Sequence, residues 1–310
     1  MINRREFNQY VLSSAAGMAS GCAASEALQK TSGSDLFSRA SNIPPLYCLA
    51  YINPTLDWQK GQENTIAKFP MALVPQNMLP THVAWRERIR EKSPDIIMLG
   101  YQTTIEETKV PGPGHDIMRT LDDAWVTYPG GFVPKITWKD QIKRIFDPSK
   151  EEWQKRFLEA CSAVLEAYRF DGLFLDQCTV FARAALTPGA DAKQKAGLQK
   201  ALVALRESWP DKIFIANSRY NWEAVNGEMN EGRIEDYDKE LIPFPGHARP
   251  QIDLAAIYYH KIGGRQDIRP YLKNAVSRKA FFYACETAQK VEWHAAYDEL
   301  IDQWNTSSRP

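Results

Sequence analysis

The chain has 310 residues, 44% hydrophobic and 25% charged, enough for one large unit with a sizeable core. Lys+Arg and Asp+Glu both total 38, so no charge excess points to nucleic acid or to an anionic membrane surface. No stretch is long and apolar enough to span a bilayer.

Residues 1–22 do not read as part of a fold. Arg4-Arg5 precede Phe7, a weakly apolar stretch runs from Tyr10 to Ala19, and Ala19-Ser20-Gly21-Cys22 closes it. Paired arginines, a modest apolar region and small residues describe an export signal, against the plainer reading of a disordered cytosolic leader. Asn3-Arg4-Arg5-Glu6-Phe7 resembles a twin-arginine signal, and Ala19-Ser20-Gly21-Cys22 resembles a bacterial lipobox. The resemblance implies an exported protein of the periplasm or cell envelope, touching membrane only through lipid on Cys22. Residues 23–42, small and polar, read as a flexible tether.

From residue 43 to 305, apolar runs alternate with helical patterns, leaving 306–310 as a tail. Strands are expected over 46–52, 71–74, 96–101, 172–176, 213–217, 224–229, 254–259 and 280–285. Continuous apolar runs separated by helices are the mark of parallel strands covered on both faces. Eight such units predict a single (β/α)8 TIM barrel with a long loop after the third strand. Ser149 with Glu152 three residues on reads as a capping box. Trp153, Phe157, Cys161, Val164, Leu165 and Tyr168 then recur at helical spacing and read as core. Further helices are expected over 192–209 and 288–304.

Residues 102–146 break the alternation, with Pro111-Gly112-Pro113-Gly114, Trp125, Tyr128-Pro129-Gly130-Gly131 and Trp138. A loop this long in a compact domain is usually functional, and after the third strand it would overlie the C-terminal mouth as a substrate wall. Five cysteines occur. Cys48 and Cys285 sit on strands that would adjoin in a closed barrel, so a bridge is conceivable, but buried free thiols are favoured. No Cys or His spacing suggests a metal site, and no Gly-rich phosphate cradle suggests a nucleotide cofactor.

The chemistry points to Phe170-Asp171-Gly172-Leu173-Phe174-Leu175-Asp176, a short apolar strand ending in a carboxylate. Barrel active sites are built at the C-terminal ends of strands. Alternation puts Asp176, Phe174 and Gly172 on one face and Asp171 on the other. Asp176 is either a functional carboxylate or a helix cap; Asp171 is more simply a turn residue with Gly172. Glycosidic cleavage commonly needs two carboxyl groups. Glu228 and Glu231 in Asn226-Gly227-Glu228-Met229-Asn230-Glu231-Gly232 offer the second. Their odd spacing shows only one to the interior, and Glu231 is favoured; Glu286, just past the last strand, is a third candidate.

Taken together, the loop Trp125, Phe146-Asp147-Pro148, Trp153 and the segment from Tyr168 to Asp176 resemble barrel glycoside hydrolases of the endo-polygalactosaminidase-like and "hypothetical glycosyl hydrolase" groups. The resemblance runs from the first strand to the last. It implies a catalytic Asp after the fourth strand, here Asp176, a fifth strand ending in Asn, here Asn217, and an acid in the sixth-strand region spanning Gly227 to Glu231. An oligo- or polysaccharide is the implied substrate. Tyr51, Asn53, Tyr101, Trp125, Asn217, Arg219 and Tyr259 are candidates to line the sugar site. The competing readings are a non-catalytic carbohydrate-binding barrel of the envelope and a barrel enzyme of another class.

Overall fold

Eight short apolar runs become eight parallel strands because helices cover them from outside and other strands face them from within. The structure, a computed structural model, describes residues 33–51, 56, 61–121, 135–138, 141–180, 190–218, 220, 222–230, 250–259, 267–287 and 289–307. The barrel strands are β1 (Cys48–Leu49), β2 (Met71–Pro75), β3 (Ile97–Thr103), β6 (Gly172–Asp176), β7 (Ile213–Asn217), β8 (Gly227–Asn230), β9 (Leu254–Tyr258) and β10 (Phe281–Cys285). They are hydrogen-bonded in that order. A parallel bridge between Leu46 and Phe282 brings the last strand back to the first. The Tyr47 N–H donates to the Phe282 carbonyl at 3.3 Å, and the Phe282 N–H to the Pro45 carbonyl at 2.9 Å. The chain is thus a single (β/α)8 barrel.

Among the described residues the helices are α1 (Gly33–Ser41), α2 (Glu63–Ile66), α3 (Pro80–Lys92), α4 (Pro113–Arg119), α5 (Glu151–Ala167), α6 (Ala190–Ser208), α7 (Arg269–Ser277) and α8 (Ala295–Ser307). On α5 the expected stripe of Trp153, Phe157, Cys161, Val164 and Leu165 is buried. Trp153 and Phe157 stack with ring centroids 5.0 Å apart. Each such apolar side chain contributes about 1.5–3 kcal/mol, an upper figure for an extended reference chain.

Several local expectations change. Residues 33–41 were expected within a tether but form α1, whose Leu36 and Ala40 are buried on the barrel. The Ser149 capping box does not form: Asp147 accepts from both the Ser149 N–H at 2.9 Å and its hydroxyl at 2.7 Å. That turn consumes the cap, and the helix begins two residues later without a side-chain cap. The last helix starts at Ala295, not 288. β8 starts at Gly227, not 224, because Asn226 is pinned as a turn residue. Its Oδ1 accepts from Arg206 at 2.6 Å and from the Phe214 N–H at 2.9 Å, and its Nδ2 donates to the Pro250 carbonyl at 3.1 Å. The long excursion after β3 holds α4 and an antiparallel pair, β4 (Lys135–Trp138) with β5 (Gln141–Arg144). Cys48, Cys161, Cys178 and Cys285 are buried free thiols, with no Cys48–Cys285 bridge.

Asp171 sits at the base of the barrel. Its carboxylate accepts from Arg39 of α1 at 3.2 Å, Arg90 of α3 at 3.1 Å and the Met98 N–H of β3 at 2.8 Å. It is therefore an anchor across the floor and not a simple turn residue. The next residue must be glycine: a Cβ on Gly172 would lie 1.8 Å from the Ile213 carbonyl oxygen of the neighbouring strand.

Candidate active site

Strand alternation and register decide which side chains enter the lumen. A Cβ on Gly100 would meet Val164 of α5 at 3.1 Å and Phe170 at 3.2 Å, so position 100 faces the helix layer. Its neighbour Tyr101 therefore faces inward. Tyr101 is level with Phe174, and Thr103 with Asp176. Phe174 is level with Ile215, and Asn217 with Met229. The lumen face across β3, β6, β7 and β8 thus carries Tyr101, Thr103, Phe174, Asp176, Ile215, Asn217, Gly227 and Met229.

Asp176 ends β6, half-buried, and three donors converge on it. The Tyr101 hydroxyl donates to Oδ2 at 2.6 Å. Asn217 Nδ2 and the Gln177 backbone N–H each donate to Oδ1 at 2.9 Å. Gln177 reaches back because its φ is +53°, the left-handed region that residues other than glycine rarely adopt. As an acceptor-only carboxylate, Asp176 matches all three donors. It is not a helix cap: the bonds it accepts come from β3, β7 and its own turn.

Tyr101 is held from several sides. Its ring lies 4.7 Å from Tyr51 in an edge contact, 5.9 Å from His115 and 6.1 Å from Phe174. Tyr51 and Tyr101 are both half-buried and form an aromatic wall beside Asp176. Behind them runs a buried polar network. Gln76 Nε2 donates to the Tyr101 carbonyl at 2.9 Å and to Gln102 Oε1 at 2.8 Å, while Gln76 Oε1 accepts from the Gly114 N–H at 2.7 Å. His115 Nε2 accepts from the Thr103 N–H at 3.3 Å and Nδ1 faces the Val110 carbonyl at 3.1 Å, so the proton belongs on Nδ1. Burial pushes the His115 pKa down to about 3; the Val110 carbonyl opposes this and the Arg119 charge assists it. His115 is thus a neutral brace under the end of β3, a role its Gly/Pro setting in the sequence does not announce.

The remaining candidates separate. Glu228 lies on the opposite parity to Met229, level with Ala216 and Leu175, and so faces the helix layer. It is buried, and its carboxylate accepts the Trp222 N–H at 3.4 Å. The Cys178 thiol beside it is raised well above its ordinary pKa by burial first and by the Glu228 charge next, which leaves it a poor nucleophile. Glu286 is exposed just past β10. Tyr259 is buried and its hydroxyl meets His294, while Tyr258 is the half-buried residue ending β9. Cys22, Asn53, Trp125, Arg219 and Glu231 lie outside the described residues. Among the described residues, no group of three or more His, Cys, Asp or Glu side chains gathers to hold a metal ion. No described helix is long and apolar enough to cross a membrane.

Solved structures share this barrel. The glycoside hydrolase domain of PelA from Pseudomonas aeruginosa is 13% identical, with a TM-score of 0.51 over 78% of this chain and 94% of that one. Ega3 from Aspergillus fumigatus, solved with galactosamine, is 10% identical with a TM-score of 0.51 over 82% and 96%. The alpha-galactosidase AgaA from Geobacillus stearothermophilus, solved with stachyose, is 10% identical with a TM-score of 0.57 over 84% of this chain and 41% of that one. No family model matches the sequence, and no curated protein matches it. At these identities the likeness establishes the (β/α)8 fold.

Proposed function

We propose that the protein is a glycoside hydrolase cleaving an oligo- or polysaccharide at the C-terminal mouth of the barrel. One observation carries the reading: a lumen-facing carboxylate, Asp176, is fixed by three donors at a strand end, beside the half-buried Tyr51 and Tyr101. Aromatic walls suit the C–H faces of sugar rings. The three solved barrels, each named for glycoside cleavage or holding a sugar, point the same way.

In this reading Asp176 is the ionised carboxylate, attacking the anomeric carbon or activating water, and Glu231 protonates the leaving oxygen. Glu228 faces the helix layer, which counts against it as the acid and leaves Glu231 the preferred candidate. The two carboxyls should lie about 5–5.5 Å apart for retention or about 6.5–9.5 Å apart for inversion. Export through the Arg4-Arg5 leader and anchoring through Cys22 complete the proposal, placing the barrel in the periplasm or cell envelope.

The test is a glycan panel followed by variants on whatever the wild type cleaves. Asp176→Asn keeps the shape and removes the charge, so turnover should fall by orders of magnitude in a folded protein. Glu231→Gln should hurt most on substrates with poor leaving groups, which alone need protonation, and Glu228→Gln should not show that dependence. Near-wild-type turnover by Asp176→Asn would refute the assignment. It would leave the carbohydrate-binding reading if sugar binding persisted.

A further inference from the structure

The hydrogen bonds on Asp176 distinguish its two oxygens. A carboxylate oxygen has two lone-pair positions. On Oδ1 both are taken, by Asn217 Nδ2 and by the Gln177 N–H, each at 2.9 Å. On Oδ2 one is taken, by the Tyr101 hydroxyl at 2.6 Å. Among the described residues the Asp176 side chain takes no fourth hydrogen bond. We propose that Asp176 reacts through Oδ2 and that Tyr101 is the positioning residue that holds this oxygen in line with the substrate. This deepens the glycoside hydrolase reading and rests on it.

The surroundings are built for that task. A tyrosine hydroxyl carries one proton, and Tyr101 spends it on Asp176, so it has none left to give a sugar. Its ring is clamped by Tyr51, His115 and Phe174. Its carbonyl is tied to Gln76 at 2.9 Å, and the Thr103 N–H two residues on is tied to His115 at 3.3 Å. The third donor, Gln177, is supplied by a left-handed turn at φ +53°. Unfavourable backbone conformations persist where the surrounding structure fixes them, and they cluster at functional sites.

The chemistry follows in either stereochemical course. If Oδ2 attacks, its electron pair forms the bond to the anomeric carbon, the glycosidic C–O bond breaks, and the leaving oxygen takes the acid's proton. If Oδ2 acts as base, its pair takes a proton from water as the water oxygen bonds the carbon and the same C–O bond breaks. In both courses negative charge leaves the oxygen that Tyr101 holds, so the hydroxyl's part is to aim Oδ2 at the reacting atom and not to stabilise the transition state by charge.

The experiment compares Tyr101→Phe with Asp176→Asn in the full chain. Phe keeps the ring packing and deletes the hydroxyl. On the glycan that the wild type cleaves fastest in a reducing-end assay, Tyr101→Phe should lower kcat about 10–100-fold, with KM changed less than about twofold. A rise in KM at unchanged kcat would return Tyr101 to sugar binding and overturn the proposal. An inactive Asp176→Asn beside a fully active Tyr101→Phe would also overturn it, while leaving glycoside hydrolysis standing. An active Asp176→Asn would remove both. A second readout needs no substrate. With Oδ2 released, charge on the carboxylate shifts toward Oδ1, and the amide protons of Gln177 and Asn217 should move downfield in a proton–nitrogen correlation spectrum. Unmoved resonances would show that Tyr101 does not hold the carboxylate and would overturn the proposal without reference to any sugar.

Discussion

His115 should make the fold sensitive to acid, and the effect can be sized. The imidazole is 1% exposed, accepts the Thr103 N–H at Nε2, and has its pKa lowered from 6.5 to about 3, chiefly by burial. Protonating Nε2 would destroy the acceptor and set two N–H groups against each other. Arg119 adds like charge nearby, and Asp116, the acid beside His115 on α4, is paired with Arg119. Between the two pKa values the unfolded chain binds a proton that the native state refuses. Stability from this group is therefore complete above about pH 6.5 and is lost as pH falls toward 3. With a native pKa of about 3 and an unfolded value of 6.5, the loss between pH 7.5 and 4.5 is about 3 kcal/mol. His115→Gln keeps an acceptor and a donor but does not titrate. The assay is urea unfolding of wild type and variant across that range. Wild type should be the more stable at pH 7.5, and its advantage should shrink by about 3 kcal/mol by pH 4.5. His82, lowered by burial and by Arg86, titrates in both proteins and cancels in the difference. A gap that stays constant with pH would refute the neutral buried His115.

Two further outcomes are expected. Asp171→Ala should destabilise the fold by about 3–5 kcal/mol, because it strands the guanidinium groups of Arg39 and Arg90 without their carboxylate at the barrel base; a melting temperature equal to wild type would contradict the anchor role. If Cys22 carries lipid, Cys22→Ser should move the protein from the membrane fraction to the soluble one, and wild type found in the cytosol with its leader intact would end that proposal.

The barrel was legible because its signal is redundant. β6 and β7 run over 172–176 and 213–217 as the apolar runs indicate, since strands buried on both faces need apolar residues at nearly every position. The misreadings share a cause: local polar residues have alternative partners. Ser149 reads as a cap, yet Asp147 two residues earlier captures it. Residues 33–41 read as a tether by composition, yet Leu36 and Ala40 share a face and Arg39 finds Asp171, 132 positions away. That partner is invisible to any window along the sequence. The β4–β5 pair has a local signal in the sequence. Lys135-Ile136-Thr137-Trp138 and Gln141-Ile142-Lys143-Arg144 lie two residues apart, a short hairpin pattern inside the excursion.

The candidate site was legible only to the depth of one strand. Asp176 stands out because a carboxylate at the end of an apolar strand has few structural excuses. Its partners do not stand out, because their roles are set by register between strands. Tyr101 meets Asp176 because Thr103, not Tyr101, is level with it, so the tyrosine sits one inward position lower and its hydroxyl rises to Oδ2. Asn217 meets it from the next strand. The same logic separates the acids. Spacing alone says that Glu228 and Glu231 cannot both face inward, but not which one does. The choice needs a fixed reference for inward, and Gly100 supplies it, three strands away, by having Val164 and Phe170 where its side chain would be. With Gly100 outward, its neighbour Tyr101 is inward, and parity carried from Tyr101 through Phe174, Ile215 and Gly227 turns Glu228 toward the helices. A packing fact about a glycine thus bears on which carboxylate can serve as the proposed acid.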